Sequence, residues 1–199
     1  MERRLFRLKA WEIILALLIV VFLISGATAQ KTQAALSEKV VRLHVLANSD
    51  TVEDQNLKLK VRDVILTESE ALLASAQTRE DAEALLRGQL LELENLAAET
   101  VHMEGYDYPV TVELTKTEFP TKTYEGFSLP AGEYLSLRIL IGNAIGQNWW
   151  CVVFPPLCTA LAAEVSEIAS EAGLSKDEVA FITEESPKYV LKFKLLELF

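Results

Sequence analysis

The chain has 199 residues and a formal net charge of −10, with 29 acidic against 19 basic side chains. This acidity argues against nucleic-acid binding, because an acidic domain is repelled by phosphate backbones. The sequence contains no internal repeat and no glycine-rich phosphate loop. Its length suits one domain with a sizeable core once an N-terminal segment is set aside.

Residues 1–29 have the three parts of an export signal. Four basic side chains lie among the first nine residues, an uninterrupted apolar run covers 13–24, and Ala27-Thr28-Ala29 has the small-x-small form that signal peptidase cleaves. We expect cleavage after Ala29, which leaves residues 30–199 as the mature domain. Because four basic and two acidic side chains are removed, the net charge then changes from −10 to −12.

The apolar run is at the short limit for a membrane span, so a retained N-terminal anchor is the alternative. In both cases the body of the protein is expected outside the cytoplasmic membrane.

The first predicted strand covers residues 40–47, where apolar side chains alternate with Arg42 and His44. We expect His44 to be an exposed or half-buried residue of this strand. Asp50 followed by Glu53 has the form of a capping box with Asp50 as the N-cap residue. A long amphipathic helix is therefore expected to begin at this point.

A second long amphipathic helix is predicted after Thr78, because Thr78 and Asp81 repeat the N-cap pattern and leucines then recur at helical spacing. From Tyr108 onwards the period changes to two, as in a half-buried strand. Two more strands are predicted from the segments 135–141 and 149–154.

The C-terminal part is predicted to contain a helix over 159–172, ended by Gly173, and a short helix opened by Ser175 and Glu178. The tail 189–199 alternates like a strand but also follows a good helix start, so both conformations stay open. The sum is a single α+β domain with an N-terminal strand, two long amphipathic helices, an antiparallel sheet and a C-terminal helical or extended segment. The order of the strands does not follow from the pattern.

Both cysteines and two of the three tryptophans fall within residues 147–158, QNWWCVVFPPLC. In an exported chain a pair of cysteines is most simply a disulfide, so we predict a bond between Cys151 and Cys158, with two buried thiols as the alternative. If this segment is extended, Trp149 and Trp150 must point to opposite faces. One can enter the main core, and the other faces a second layer, a loop or a partner.

The reactive side chains could be arranged for catalysis or metal binding, but their pattern does not favour it. A cysteine hydrolase needs Cys151 or Cys158 beside His44 or His102, and no family signature surrounds these residues. The same four side chains lack the spacing of a structural zinc site.

Acidic pairs such as Glu53/Asp54 and Asp177/Glu178 could suggest glycosidase chemistry. They fall in first helical turns, where the helix dipole favours carboxylates, so a structural role is sufficient. We predict no catalytic residue, no metal site, no cofactor and no small-molecule substrate.

Two separate stretches of the chain match a known family. The segment 148–158, NWWCVVFPPLC, resembles the signature of stage II sporulation protein R. So does the segment 42–50, RLHVLANSD, with its continuation through 53–63. The stretches stand in the expected order after an export signal, and the resemblance spans nearly the whole mature chain.

The resemblance implies a signalling role in endospore-forming bacteria. Proteins of that family are made in the forespore and exported into the space between the two engulfing membranes. There they trigger a membrane-embedded aspartic protease of the mother cell, which removes the pro-sequence of the sigma factor E precursor. On this basis the chain is an activator and not an enzyme. The alternative is an extracytoplasmic hydrolase of cell-envelope material that uses a cysteine or carboxylates.

We predict two surfaces for contact with the protease. In the first, the tryptophan that is turned away from the main core engages the protease, and its neighbours shape the surface. The residues of this surface are Asn148, Trp149, Trp150, Pro155 and Pro156. The second is the corner between the first strand and the first helix, for which local capping and turn formation are the alternative. Its residues are His44, Asn48, Ser49, Asp50, Asp54 and Gln55.

Overall fold

The computed structural model describes residues 9–183, and the predicted C-terminal segment 189–199 lies outside this range. The elements follow one another as α1 (Ala10–Ser37), β1 (Val41–Leu46), α2 (Val52–Leu73), α3 (Arg79–Gly88), α4 (Leu90–Met103), β2 (Val110–Phe119), β3 (Lys122–Thr123), β4 (Ser128–Leu129), β5 (Gly132–Ile141), β6 (Asn148–Phe154), α5 (Val165–Glu171) and α6 (Lys176–Ile182).

The four longer strands form one sheet in the order β2-β5-β1-β6, and β3 and β4 form a small hairpin. β2 pairs with β5 antiparallel and β1 pairs with β6 antiparallel, whereas β1 and β5 run parallel. The predicted α+β domain is confirmed, with the refinement that the sheet is mixed. The first strand of the chain is also a central strand, so β5 and β6 are not neighbours.

Helices α2, α3 and α4 cover one face of the sheet. Alternate residues of β1 point towards them and are fully buried: Val41, Leu43 and Val45. Apolar side chains of the helices meet these residues because they recur at helical spacing. The main core contains, from the helices, Leu57, Val61, Ile65, Ala82, Leu86, Leu93 and Ala97.

The opposite face of the sheet is covered by a second core. It draws on the C-terminal end of α1, the β3–β4 hairpin, and the helices α5 and α6. The largest side chains of this second core include Leu36, Phe119, Phe127, Tyr134, Leu157 and Phe181. Arg42 lies within it and is fully buried, although the sequence pattern placed this residue on a polar face.

The start of α2 differs by one residue from the prediction. The N-cap residue is Thr51, whose hydroxyl accepts a hydrogen bond from the Asp54 N–H, so the prediction of Asp50 as the cap is wrong. Both side chains are good cap acceptors. The choice is made by a distant contact, because the Asp50 carboxylate accepts the Gln147 N–H at 2.7 Å.

The second helical stretch is interrupted. Thr78 caps α3 in a capping box with Asp81, as predicted, but α3 ends at Gly88 and α4 begins at Leu90. Glycine has a low helix propensity. Gln89, between the two helices, is no longer helical, since its φ is −119°.

The C-terminal helices are capped as predicted. Ser175 and Glu178 form the capping box of α6, and Gly173 follows the preceding helix with a φ of +86°. That preceding helix, α5, is shorter than expected and begins only at Val165.

α1 is a single helix of 28 residues that runs unbroken through residue 29, the predicted cleavage point. Its large apolar side chains between Trp11 and Ile24 are exposed. Its C-terminal end is anchored, since Leu36 is fully buried in the second core. Within the part of the chain that the structure describes, no helix combines the length and the apolar character needed to cross a membrane.

Candidate functional site

The two neighbouring tryptophans of β6 point to opposite faces of the sheet, as predicted. Trp149 lies on the side of α2, is 37 % exposed, and has the Arg62 guanidinium carbon 4.2 Å from its ring centroid. Trp150 is half-buried on the opposite side, with Lys122 Nζ 4.0 Å from its ring centroid. Trp150 is the one turned away from the main core, but Trp149 is the more exposed. Each ring is held in place by a cation.

The predicted disulfide between Cys151 and Cys158 is confirmed. The two Cα atoms are 5.9 Å apart, which is within the usual range for a disulfide. The bond closes a short loop that contains buried Pro155 and exposed Pro156. With both sulfurs bonded, neither cysteine has the thiolate that a cysteine hydrolase requires.

The corner between β1 and α2 is a connected polar network around the buried Asp54. Its carboxylate accepts hydrogen bonds from Asn48 Nδ2 at 2.8 Å and from the Ser49 hydroxyl at 2.5 Å. Burial would raise the pKa of Asp54, but the hydrogen bonds from Ser49, Asn48, Tyr108 and Thr51 outweigh it and lower this pKa. Asp54 is therefore a structural carboxylate, held in its charged form.

The same corner binds the loop that leads into β6. Asp50 accepts the Gln147 N–H at 2.7 Å, and Lys58 Nζ donates to the Gln147 carbonyl at 2.9 Å. Lys58 also donates to Gln55 Oε1 at 2.5 Å. Burial lowers the pKa of Lys58, while the charge of Asp50 acts in the opposite direction.

Two glycines allow this loop to approach the corner closely. A Cβ on Gly142 would lie 2.3 Å from Asn48 Oδ1, and one on Gly146 would lie 2.2 Å from the Ser49 carbonyl oxygen. The φ of Gly142 is also +60°, which favours glycine. Glycine is therefore required on steric grounds at both positions of this loop.

His44 links the corner to the tryptophans. Its ring stacks on Trp150 with 5.9 Å between centroids, and its Nε2 lies 2.7 Å from Asn148 Oδ1. Burial lowers the pKa of His44, with the charges of Arg138 and Arg42 acting in the same direction. The neutral ring donates from Nε2, and its Nδ1 is buried without a partner in the described structure. The expectation of an exposed or half-buried residue is wrong, because the second core covers this face.

The network joins the two predicted contact surfaces into one region. Three of the predicted contact residues have buried side chains and position their neighbours: His44, Asp54 and Pro155. The exposed or half-buried members are Asn48, Ser49, Asp50, Gln55, Asn148, Trp149, Trp150 and Pro156. Sequence reasoning missed Arg62 and Lys122 as members of the site, since stacking on a ring has no sequence signal.

The remaining histidine and the acidic pairs lie at helix ends, where they are not arranged around a common site. His102 lies in the last turn of α4 with an exposed side chain. The acidic pairs Glu53/Asp54 and Asp177/Glu178 occupy the first turns of α2 and α6. Among residues 9–183, no group of three or more His, Cys, Asp or Glu side chains is placed to hold a metal ion.

Comparison with known proteins agrees with the resemblance found in the sequence. The model of the family described as stage II sporulation protein R matches residues 37–164, a span that contains both predicted contact surfaces. The chain belongs to this family. It is 40 % identical over 134 residues to stage II sporulation protein R of Bacillus subtilis (strain 168). That alignment covers 66 % of this chain and 60 % of the relative, so the chain spans about 60 % of the length of the relative it matches. No solved structure matches the chain.

Proposed function

We propose that this chain is an exported signalling protein of sporulation that activates a membrane-embedded aspartic protease in the mother cell. The protease in turn processes the sigma factor E precursor. The observation that carries the proposal is the family match over residues 37–164. A second observation supports the proposal. The N-terminal sequence is of export type, with a basic start, an apolar run and an Ala-x-Ala site.

The geometry supports a binding role for the region around Trp149. Tryptophan is enriched at the energetic centres of protein interfaces, and Trp149 is the exposed member of the pair. Arg62 covers one side of its ring and the neighbouring disulfide fixes its strand. A ring that is already ordered loses little conformational freedom on binding, which favours affinity.

The decisive experiment is to express the full chain together with the protease and the sigma factor precursor in a cell that lacks other sporulation proteins. We expect the precursor to be cleaved only when all three are present. A matched control is Leu91→Ala, since Leu91 is 70 % exposed on α4, away from the tryptophans. If the wild-type chain does not increase precursor cleavage, the proposal is wrong.

We further propose that the chain is exported and cleaved after Ala29, so that Gln30 becomes the first residue. Intact-mass analysis of the exported material tests this directly. A mass that still includes residues 1–29 would instead indicate a retained N-terminal anchor.

A further inference from the structure

The loop 142–147, which joins β5 to β6, is held in place by its own backbone. The Gly142 N–H donates to the carbonyl of Pro109, the residue before β2, at 2.8 Å. The Ala144 N–H donates to the carbonyl of Ile141, the last residue of β5, at 3.1 Å. These two bonds hold the loop against the neighbouring ends of β2 and β5.

The same loop is also bound to the corner between β1 and α2. The Asn143 N–H donates to Asn48 Oδ1 at 2.9 Å. The Gly146 N–H donates to the Ala47 carbonyl at 3.0 Å, and the N–H of Gln147 reaches the corner as described above. Five of the six backbone N–H groups of the loop are therefore donors to other parts of the fold or to the end of β5. A segment with so many backbone bonds has little freedom to open locally.

The conformation of Ala144 shows that the loop is constrained by its surroundings. The φ of Ala144 is +53°, in the left-handed region that is unfavourable for residues other than glycine. Such residues persist only where the surrounding structure determines their conformation, and they cluster at functional sites. Here the hydrogen bonds of Asn143 and Gly146, on either side of Ala144, supply that constraint.

The side chain that this loop displays is apolar. Ile145 is 77 % exposed, the highest value for a large apolar side chain among residues 9–183. A single exposed apolar side chain is common on protein surfaces and needs no explanation by itself. In this case it stands on a strained loop that is fixed by backbone hydrogen bonds. Those bonds do not involve the Ile145 side chain, so they do not account for an isoleucine at this position.

The loop borders the candidate site. It runs directly into β6, where Trp149 follows Ile145 by four residues, and it is bound to Asn48 and Asp50 of the corner. A protein that contacts this region would therefore meet Ile145 in a fixed position. A side chain presented by an ordered backbone loses less conformational freedom on binding than one on a mobile loop.

The charge of the chain favours a pocket of another protein over two other apolar surroundings. The formal net charge is −10, and the corner that holds the loop contributes the carboxylate of Asp50. Such an acidic domain is repelled by anionic lipid headgroups and by a second copy of itself. An apolar pocket on a different protein carries neither penalty.

We infer that Ile145 is an anchor residue that inserts into an apolar pocket of the membrane partner. The inference rests on the proposed function for the identity of this partner. It adds a contact that neither of the two predicted surfaces contains. Anchor side chains of this kind, buried in a pocket of the partner, carry a large share of the binding free energy of an interface.

The test compares Ile145→Ala with Ile145→Leu in the full chain. Because the side chain is exposed, both variants should keep the melting temperature of the wild type. We expect I145A to bind the purified protease roughly tenfold more weakly than the wild type. I145L keeps the apolar volume and should bind within about twofold of the wild type.

Leu91→Ala is the matched control, because it removes an equally apolar and exposed side chain from α4. It should bind the protease like the wild type. Wild-type affinity of I145A would overturn the inference. So would a loss in I145L or in L91A as large as the loss in I145A, because the effect would then not depend on an apolar side chain at this position.

Two further measurements identify a different occupant. Sedimentation velocity of the wild type and I145A shows whether copies of the chain associate through Ile145. Binding to vesicles of phosphatidylglycerol and phosphatidylethanolamine, without the protease, shows whether Ile145 enters a lipid surface. We expect no difference between the two proteins in either experiment. Self-association or vesicle binding that is lost in I145A would overturn the inference.

The outcomes separate this inference from the proposed function. A wild-type chain that neither binds the protease nor stimulates precursor cleavage contradicts the proposed function itself. Stimulation by the wild type that I145A retains in full, at equal affinity, contradicts only the role of Ile145.

Discussion

The two faces of β1 are equally buried but chemically opposite. Towards the helices it presents Val41, Leu43 and Val45, which pack among apolar side chains of the helices. Towards the second core it presents Arg42 and His44, and both are buried as well. Burial alone therefore does not distinguish the structural face of this strand from the face that leads to the candidate site.

The second face accommodates its cation with aromatic rings. The Arg42 guanidinium carbon lies 4.0 Å from the Phe119 ring centroid and 5.0 Å from that of Tyr134, and its Nη2 donates to the Tyr124 hydroxyl at 2.7 Å. Its Nε and Nη1 have no partner in the described structure. Burial lowers the pKa of Arg42 and raises that of Tyr134 to about 12. The apolar face stabilises the fold. The second face holds Arg42 in a fixed arrangement, and burying its charge there costs desolvation free energy.

The largest effect is expected on the apolar face. Leu43→Ala removes a fully buried side chain between the sheet and the helices, so the free energy of unfolding should fall by about 3 kcal/mol. Urea denaturation measures this loss, with Leu91→Ala as the exposed control. A loss similar to that of the control would show that the helical layer rearranges around the cavity.

The disulfide lies where the two cores meet, since Cys158 packs against both. Replacing Cys151 and Cys158 together by Ala should lower stability by about 2.5 kcal/mol in the chain-entropy model for so short a loop. Urea denaturation of the oxidised wild type and the double variant measures the difference. Alkylation of the denatured, unreduced wild type provides the matching control, because two labelled thiols would contradict the bond.

Arg42 gives the sharpest contrast between the faces. Arg42→Ala leaves a cavity and should cost about 2 kcal/mol, whereas Arg42→Met keeps most of the volume and removes two unpaired polar atoms. We expect the melting temperature of R42M to be close to that of the wild type and clearly above that of R42A. If R42M is as unstable as R42A, the charge on the rings is itself a net source of stability.

The two tryptophans, one on each face of the sheet, test whether the aromatic cluster takes part in the proposed activity or only stabilises the fold. Trp149→Ala should lose precursor processing while stability changes by about 0.5 kcal/mol, because the ring is partly exposed. Trp150→Ala also removes the stacking on His44 and should lose about 1 kcal/mol in addition to activity. The melting temperature and the precursor processing of each variant are both compared with those of the wild type. Loss of both properties in the same proportion for both variants would make the cluster purely structural.

The smallest effect concerns pH. The pKa of His44 is lower in the folded state than its usual value of about 6.5, so the contribution of His44 to stability is complete above that value. It is lost as the pH falls towards the folded pKa, because the unfolded chain binds the proton more readily. Unfolding free energies measured at about pH 7.5 and about pH 5.5 should differ less for His44→Gln than for the wild type. Leu91→Ala, which changes an exposed side chain that does not titrate, should show the same pH difference as the wild type.

Local features of the fold were predictable because their causes are local. Each capping box, at Thr78 and at Ser175, depends only on two residues three positions apart. The end of the helix before Gly173 depends only on this glycine, which adopts a positive φ. The strand patterns and the opposite directions of Trp149 and Trp150 follow from the two-residue period.

Features decided by distant contacts were not predictable. Asp50 and Thr51 are equal candidates for the cap until Gln147 is known to reach Asp50. Arg42 and His44 look like residues of a polar face until a second layer covers them. In the candidate site the sequence indicated both surfaces, but their union depends on the pairing of β1 with β6.

The central position of β1 has a consequence for biogenesis. When a polypeptide crosses a membrane N-terminus first, β1 emerges roughly ninety residues before its parallel neighbour β5, and β6 follows later still. Pairings between such distant positions form slowly, because a long loop must close first. The strand order therefore delays completion of the sheet until β6 is available, which would favour passage of an unfolded chain across a membrane if the chain is exported as proposed.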